Sequence, residues 1–420
     1  MMAKRAWRDW MARPPVREVA LRRLWAGLRL AGAACVVVSL LALGAIQVGV
    51  PADRPPRAHS VILFIGDGMG AGQRMAARWF SVGPDGQLGM DALPVQGRAR
   101  TLSIGGVVTD SAAAATALAT GVKTRNGSIS MDPNRVSLTT LLELAKADGK
   151  AVGLVSTVQL TSATPASFAA HVPSRSETQA IAVQLVDAGI ELLLGGGEED
   201  FLPSGSPGAC GLAGRRTDGR DLAEAARQGG VTLLCDAQDL AQVESQSASR
   251  VLGLFARAEM PQPYAPSLAE MTRVAIEILS RDPSGFFLMI EEGQIDWACH
   301  DNDARAAMNL TLELDRAVDV AVEYVESVAG TLLIVTGDHE TGGLSVLTGE
   351  GGSSHKDGRF QTPTGEAFYV NWDEGGHTAA DVPVSAVGPG ADLLAGIYEN
   401  TWVFDVMIQA LGLPDPRLAP

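Results

Sequence analysis

The chain has 420 residues, 46% of them hydrophobic, with 47 glycines and a formal net charge of −15. That size holds one large domain or two with ample core, and the composition is that of a globular, loop-rich α/β protein, which excludes a disordered chain. Residues 1–50 carry eight basic and two acidic side chains, so the remainder holds −21; so acidic a body argues against a nucleic-acid-binding function, and an anionic substrate would need positive charge placed locally.

The basic start runs into the uncharged apolar stretch Leu30–Val50, about long enough to cross a bilayer. Residues 1–52 therefore read as an export signal or a retained signal anchor, with the basic side left in the cytoplasm. The body is expected in the periplasm or outside the cell, exported or tethered to the inner membrane through residues 30–50, its only expected membrane contact. A linker follows at 53–59, and the body occupies 60–420.

The body opens with Ser60–Ile65, a short apolar run rich in β-branched residues that ends in glycine, the pattern of a buried parallel strand. Similar runs recur at 150–157, 285–293 and 330–343, each after an amphipathic helical segment. Strands alternating with helices predict an α/β fold, a three-layer α/β/α sandwich around a large, mainly parallel sheet. Residues 196–262 and 349–376 are polar and glycine-rich and read as insertions over the rim of the sheet. Within the first, Cys210 and Cys235 can pair in an oxidising compartment or stay as free thiols; spacing does not decide between them.

The stretch TDSAAAATALATG (109–121) sets Ser111 before a run of alanines. Serine favours a helix start and alanine a helix interior, so Ser111 reads as a helix cap. A helix start also attracts anions, so the same residue is a candidate nucleophile beside a phosphate.

Ligands of parallel α/β sheets bind beyond the carboxyl ends of the strands. There the sequence sets Asp67 after VILFIG, Glu291 after FFLMI with Asp296 close behind, and Asp338 and His339 after LLIVTG. Asp296 and His300 stand at i and i+4, one face of a helical turn, a pair suited to gripping a divalent cation. His377 lies in a polar loop, where a surface histidine is the plainer reading. Clustered carboxylates repel unless cations offset them, and paired metals suit phosphoryl transfer. Arg175 carries a planar fork that can clamp phosphate oxygens.

Taken in order, FIGDGMG (64–70), TDSAAAATALATGVKTRNGSISMD (109–132), ELAKADGKAVGLVST (143–157), SATPASFAAHVPSR (162–175), EEGQIDWACH (291–300), TGDHETGG (336–343) and GHT (376–378) resemble the motifs of the alkaline phosphatases. The resemblance runs from about Ser60 to the C-terminus. It implies a hydrolase of phosphate monoesters with broad substrate use and a phosphoserine intermediate on Ser111. It implies one zinc held by Asp296, His300 and His377, a second held by Asp67, Asp338 and His339, and a magnesium held by Thr164 and Glu291 with Asp67 bridging to it. Arg175 would bind the phosphate. A homodimer is the assembly it allows. Ser162 and Trp297 depart from the best-known bacterial pattern, which has aspartate and lysine there, and this leaves the third metal open. The rival readings are a phosphodiesterase or sulfatase of the same superfamily and a non-catalytic, metal-stabilised envelope protein.

Overall fold

The computed structural model describes residues 57–205, 207–211, 213–243, 249–349 and 356–418. The expected signal or anchor at 1–52 lies outside the described residues; among those described, no helix is long and apolar enough to cross a membrane.

The first eight strands are β1 (Ser60–Gly66), β2 (Val95–Arg100), β3 (Ala151–Gln159), β4 (Leu192–Gly196), β5 (Thr232–Leu234), β6 (Val251–Leu254), β7 (Phe286–Glu292) and β8 (Thr331–Gly337). Seven shorter or later ones follow: β9 (Glu340–Thr341), β10 (Ser345–Leu347), β11 (Lys356–Gln361), β12 (Ala367–Asn371), β13 (His377–Thr378), β14 (Val382–Val387) and β15 (Gly396–Glu399). Ten of them form one sheet in the order β15-β2-β14-β8-β1-β7-β3-β4-β6-β5. β1 lies between β7 and β8 and is parallel to both, whereas β14 runs antiparallel to β8 and β2.

Period-2 alternation explains why the sheet needs helices on both faces. Val61, Leu63 and Ile65 of β1 enter one hydrophobic cluster, and Ile62 and Phe64 enter the other. None of the five has measurable solvent exposure, and each contributes about 1.5–3 kcal/mol through burial. The first cluster takes in the helix Ser111–Thr120 and the C-terminal helix Thr401–Leu411. The second takes in the helices Leu268–Leu279 and Ala304–Ser327. The result is the expected α/β/α sandwich.

One sequence expectation changes and one open alternative is decided. Residues 196–262 do not simply pass over the rim: β5 and β6 lie in this stretch and extend the sheet beyond β4. They were hard to see because they are three and four residues long, too short for alternation to register. Cys210 and Cys235 are joined in a disulfide, which ties the loop before the helix Leu222–Gln228 to the end of β5. In the second stretch, β11 and β12 pair with β10 in a separate three-stranded sheet.

Candidate active site

Parallel pairing brings the ends of β1, β7 and β8 to one edge, because Ile65 stands beside both Glu291 and Thr336. Asp67 follows β1, Glu291 lies near the end of β7, and Asp338 and His339 follow β8. Three carboxylates that the sequence scatters over 272 positions thus become neighbours. Gly68 makes room for the next: its φ is +76°, and a Cβ there would stand 2.8 Å from Asp296 Cα.

Asp296 and His300 share the helix Gln294–His300, and His300 Nε2 lies 3.2 Å from Asp296 Oδ2. His377 Nε2 lies 3.4 Å from Asp296 Oδ1 and 3.2 Å from His300 Nε2. The other ring nitrogens face backbone carbonyls: His300 Nδ1 is 2.6 Å from Gly375 O, and His377 Nδ1 is 2.8 Å from Thr109 O. A carbonyl can only accept, so each Nδ1 carries the proton, and in neutral rings both Nε2 lone pairs point at the same space. Two lone pairs and a carboxylate at such range call for a cation. His377 is therefore no bland surface histidine.

His339 joins the second group. Its Nε2 is 3.3 Å from Asp67 Oδ1 and 3.3 Å from Asp338 Oδ2. Asp296 also lies close enough for Asp67, Asp296 and His339 to share one ion. Asp338 Oδ2, Glu291 Oε1 and Thr164 Oγ1 are all buried with no hydrogen-bond partner. Orphaned oxygens of this kind are costly in a folded interior unless something fills the gap. Oxygen donors with three imidazoles nearby suit divalent metals, so the residues fit a metal site.

The electrostatics agree. Burial, then Asp338, Asp296 and Glu291, push the Asp67 carboxyl well above the usual carboxylate range. Burial raises Glu291 to about 7, opposed by the Ser156 hydroxyl that donates to it. Burial would raise Asp296 too, but with no cation between them His300 and His377 can protonate at Nε2 and donate to it, and this outweighs burial and holds it low. The bond to Asp296 lifts His300 to about 9, whereas burial lowers His339.

Ser111 is the first residue of its helix, and the cap is Asp110, whose Oδ1 accepts from Ala113 N at 3.0 Å. This corrects the reading of Ser111 as the cap. Freed from capping, the Ser111 hydroxyl points into the cluster, with Oγ 3.3 Å from His339 Nε2 and 3.5 Å from Asp67 Oδ1. The whole helix is buried, and its small side chains let it pack against the helices Ala163–Ala169 and Thr401–Leu411. Arg175 stands beside it, with Nη1 3.5 Å from Asp110 Oδ2 and a side chain 39% exposed. It is thereby held next to the residue that precedes Ser111.

Ser162 is the N-cap of the helix that carries Thr164 and makes no side-chain cap bond. Trp297 is 39% exposed on the helix that carries Asp296 and His300. Sequence reasoning missed Ser156, whose Oγ donates to Glu291 Oε2 at 2.5 Å, and Thr341, whose Oγ1 donates to Asp296 Oδ1 at 2.5 Å. Both lie inside motifs already singled out, at strand ends or next to a ligand candidate.

A family model described as "Alkaline phosphatase" matches residues 58–359 and 353–413. Streptomycin-6-phosphate phosphatase of Streptomyces griseus is 36% identical over 429 residues, covering 86% of this chain and 92% of its own length. Alkaline phosphatase of Escherichia coli strain K12 is 33% identical over 420 residues, covering 86% and 87%. Among solved structures, alkaline phosphatase from the Antarctic bacterium TAB5 superposes with a TM-score of 0.74 at 30% identity, covering 86% of this chain and 99% of that one.

Proposed function

Because the chain belongs to the alkaline phosphatase family and is a metal-dependent phosphomonoesterase, we propose that Ser111 is its nucleophile. The observation that carries this is the Ser111 hydroxyl, buried at a helix start and aimed between His339 and Asp67. Two zinc ions, at Asp296, His300 and His377 and at Asp67, Asp338 and His339, and one magnesium at Thr164 and Glu291 with Asp67 are the complement we propose. When bound, they supply positive charge that favours the ionised serine, the leaving oxygen and an attacking water.

The side chains do the rest. Arg175 binds two non-bridging phosphate oxygens, and Asp110 holds its guanidinium from behind. The N-terminus of the Ser111 helix adds N–H donors toward the same anion. Ser111 Oγ attacks phosphorus in line, an O–P bond forms, and the ester O–P bond breaks to release the alcohol. Water then attacks the phosphoserine from the vacated side and returns Ser111 with inorganic phosphate. Little of this reads the alcohol, which supports a broad range of monoesters.

We further propose an exported body, periplasmic or extracellular, in keeping with the apolar stretch 30–50 and the Cys210–Cys235 disulfide, and a homodimer by analogy with the family. The test is hydrolysis of nitrophenyl phosphate, bis-nitrophenyl phosphate and nitrophenyl sulfate by wild type and Ser111→Ala. The monoester should turn over fastest, and the variant should lose activity on it. A faster diester, or an active Ser111→Ala, overturns the reading.

A further inference from the structure

Glu340 has no part in the chemistry above, yet it is a carboxylate only 5% exposed. A buried carboxylate normally needs a cation or a full set of donors. Here the donors are four and all neutral. Oε1 accepts from Gln73 Nε2 at 2.9 Å and from Leu344 N at 3.1 Å. Oε2 accepts from Gly343 N at 3.2 Å and from the Thr378 hydroxyl. The side chain fits closely: a Cβ on Gly70 would stand 2.2 Å from Glu340 Cγ.

The four donors come from three places that must stay in register. Gln73 belongs to the helix Ala71–Ser81 behind β1, and its Nε2 also donates to Thr341 O at 2.7 Å. Gly343 and Leu344 lie between β9 and β10. Thr378 is the neighbour of His377 in β13, a two-residue strand paired as His377↔Thr341 and Thr378↔Glu340. On either side of β13 the loop is exposed at Asp373–Gly375 and at Ala379–Ala380. A short pairing between exposed flanks gives little rigidity of its own.

We infer that Glu340 is a positioning residue for His377: through Thr378 it fixes β13 against β9, so that His377 Nε2 stays within reach of Asp296 and His300. The inference rests on the proposed reading of His377 as a metal ligand. It also explains why the residue is glutamate. Each carboxylate oxygen faces a backbone N–H that cannot turn round, Leu344 on one side and Gly343 on the other. An amide would set NH2 against one of them, whichever way it was placed. Glutamine is therefore no substitute despite its shape.

The experiment loads the full chain with zinc alone and measures the affinity of each bound zinc by competition with a chromophoric chelator. The variants are Glu340→Gln, Thr378→Val and His377→Ala. Outer groups that orient a ligand are worth about 10–100-fold in metal affinity. Glu340→Gln should weaken one zinc by that factor and leave the other unchanged. Thr378→Val, which removes only the hydroxyl, should weaken the same zinc and covers the case in which Glu340→Gln does not fold. A wild-type affinity in Thr378→Val, or an equal loss at both zinc sites, overturns the inference while the site reading stands. Unchanged affinities in His377→Ala overturn the site reading and the inference with it.

Discussion

Asp110 joins the nucleophile helix to the arginine beside it. One carboxylate oxygen caps the helix through Ala113 N at 3.0 Å; the other lies 2.9 Å from Gly127 N and 3.5 Å from Arg175 Nη1, across 65 residues of sequence. One side chain thus sets where Ser111 points and where Arg175 can reach.

Asp110→Asn and Asp110→Ala separate these two duties. Asparagine keeps the cap at Ala113 N but turns its NH2 toward Gly127 N in place of an acceptor, so its variant should melt somewhat below the wild type. Its amide has lost the charge that holds Arg175, so inhibition by inorganic phosphate should weaken several-fold. Alanine loses the cap too and should cost about 1 kcal/mol of stability besides. Thermal melts and phosphate inhibition constants read the two effects independently.

Arg175→Ala should weaken phosphate binding by about 10–100-fold, the worth of charged hydrogen bonds of about 1.5–3 kcal/mol. Arg175→Lys should recover only part of it, since a point charge cannot make the paired contacts of the planar fork. Equal inhibition constants in all three proteins would remove Arg175 from the phosphate site.

Ser111→Ala should lower kcat by at least about a thousandfold while zinc binding measured by chelator competition stays close to wild type. The change deletes one hydroxyl and no proposed ligand. Loss of zinc together with activity would make Ser111 a structural member of the cluster instead.

Removal of metal should destabilise the fold. Asp67 and Glu291, both raised by burial and by neighbouring acids, are left facing one another without a cation. Ions present at about a thousandfold over their dissociation constant add about 4 kcal/mol. The apo protein should therefore melt well below the loaded one, and zinc with magnesium should restore both melting temperature and turnover of nitrophenyl phosphate.

His171 and Glu143 give a pH dependence away from the metals. His171 Nε2 lies 2.9 Å from Glu143 Oε1, and Nδ1 lies 3.0 Å from Ser130 O. Burial lowers His171, but these bonds outweigh it and its pKa is raised; burial raises Glu143, but His171 and the Thr140 N–H bring it below its ordinary value. The raised imidazole stabilises below its unfolded pKa of about 6.5 and loses that effect as pH rises through the folded value. The lowered carboxyl stabilises above about 4.3 and loses that effect as pH falls through its own folded value. Their joint contribution, about 1 kcal/mol, is largest between those limits. His171→Gln should therefore lower the melting temperature more at pH 5.5 than at pH 9, and an equal drop at both would show that the pair carries no charge.

The strands that build the site were plain in the sequence because they are buried on both faces and read as unbroken apolar runs. Asp67, Glu291, Asp338 and His339 could be placed because each stands just past such a run. His300 could be placed because i,i+4 spacing follows from the helix alone. His377 could not be settled from its own surroundings, a polar glycine-rich loop. Only the pairing of β13 with β9 carries it to Asp296. Glu340 was equally silent: next to a ligand candidate it reads as one more acid, and its four donors come from residues 73, 343, 344 and 378.

The sequence by itself determined the layered α/β class, the edge of the sheet where the chemistry sits and the kinds of group gathered there, since hydrophobic period and residue type are local properties. The tertiary structure decided the rest: that Asp110 and not Ser111 is the cap, that β5 and β6 join the sheet, that Cys210 meets Cys235, and which nitrogen of each histidine faces the cluster. Those outcomes depend on contacts between segments tens to hundreds of residues apart, and a hydrogen bond or a ligand geometry is fixed only when both partners are in place.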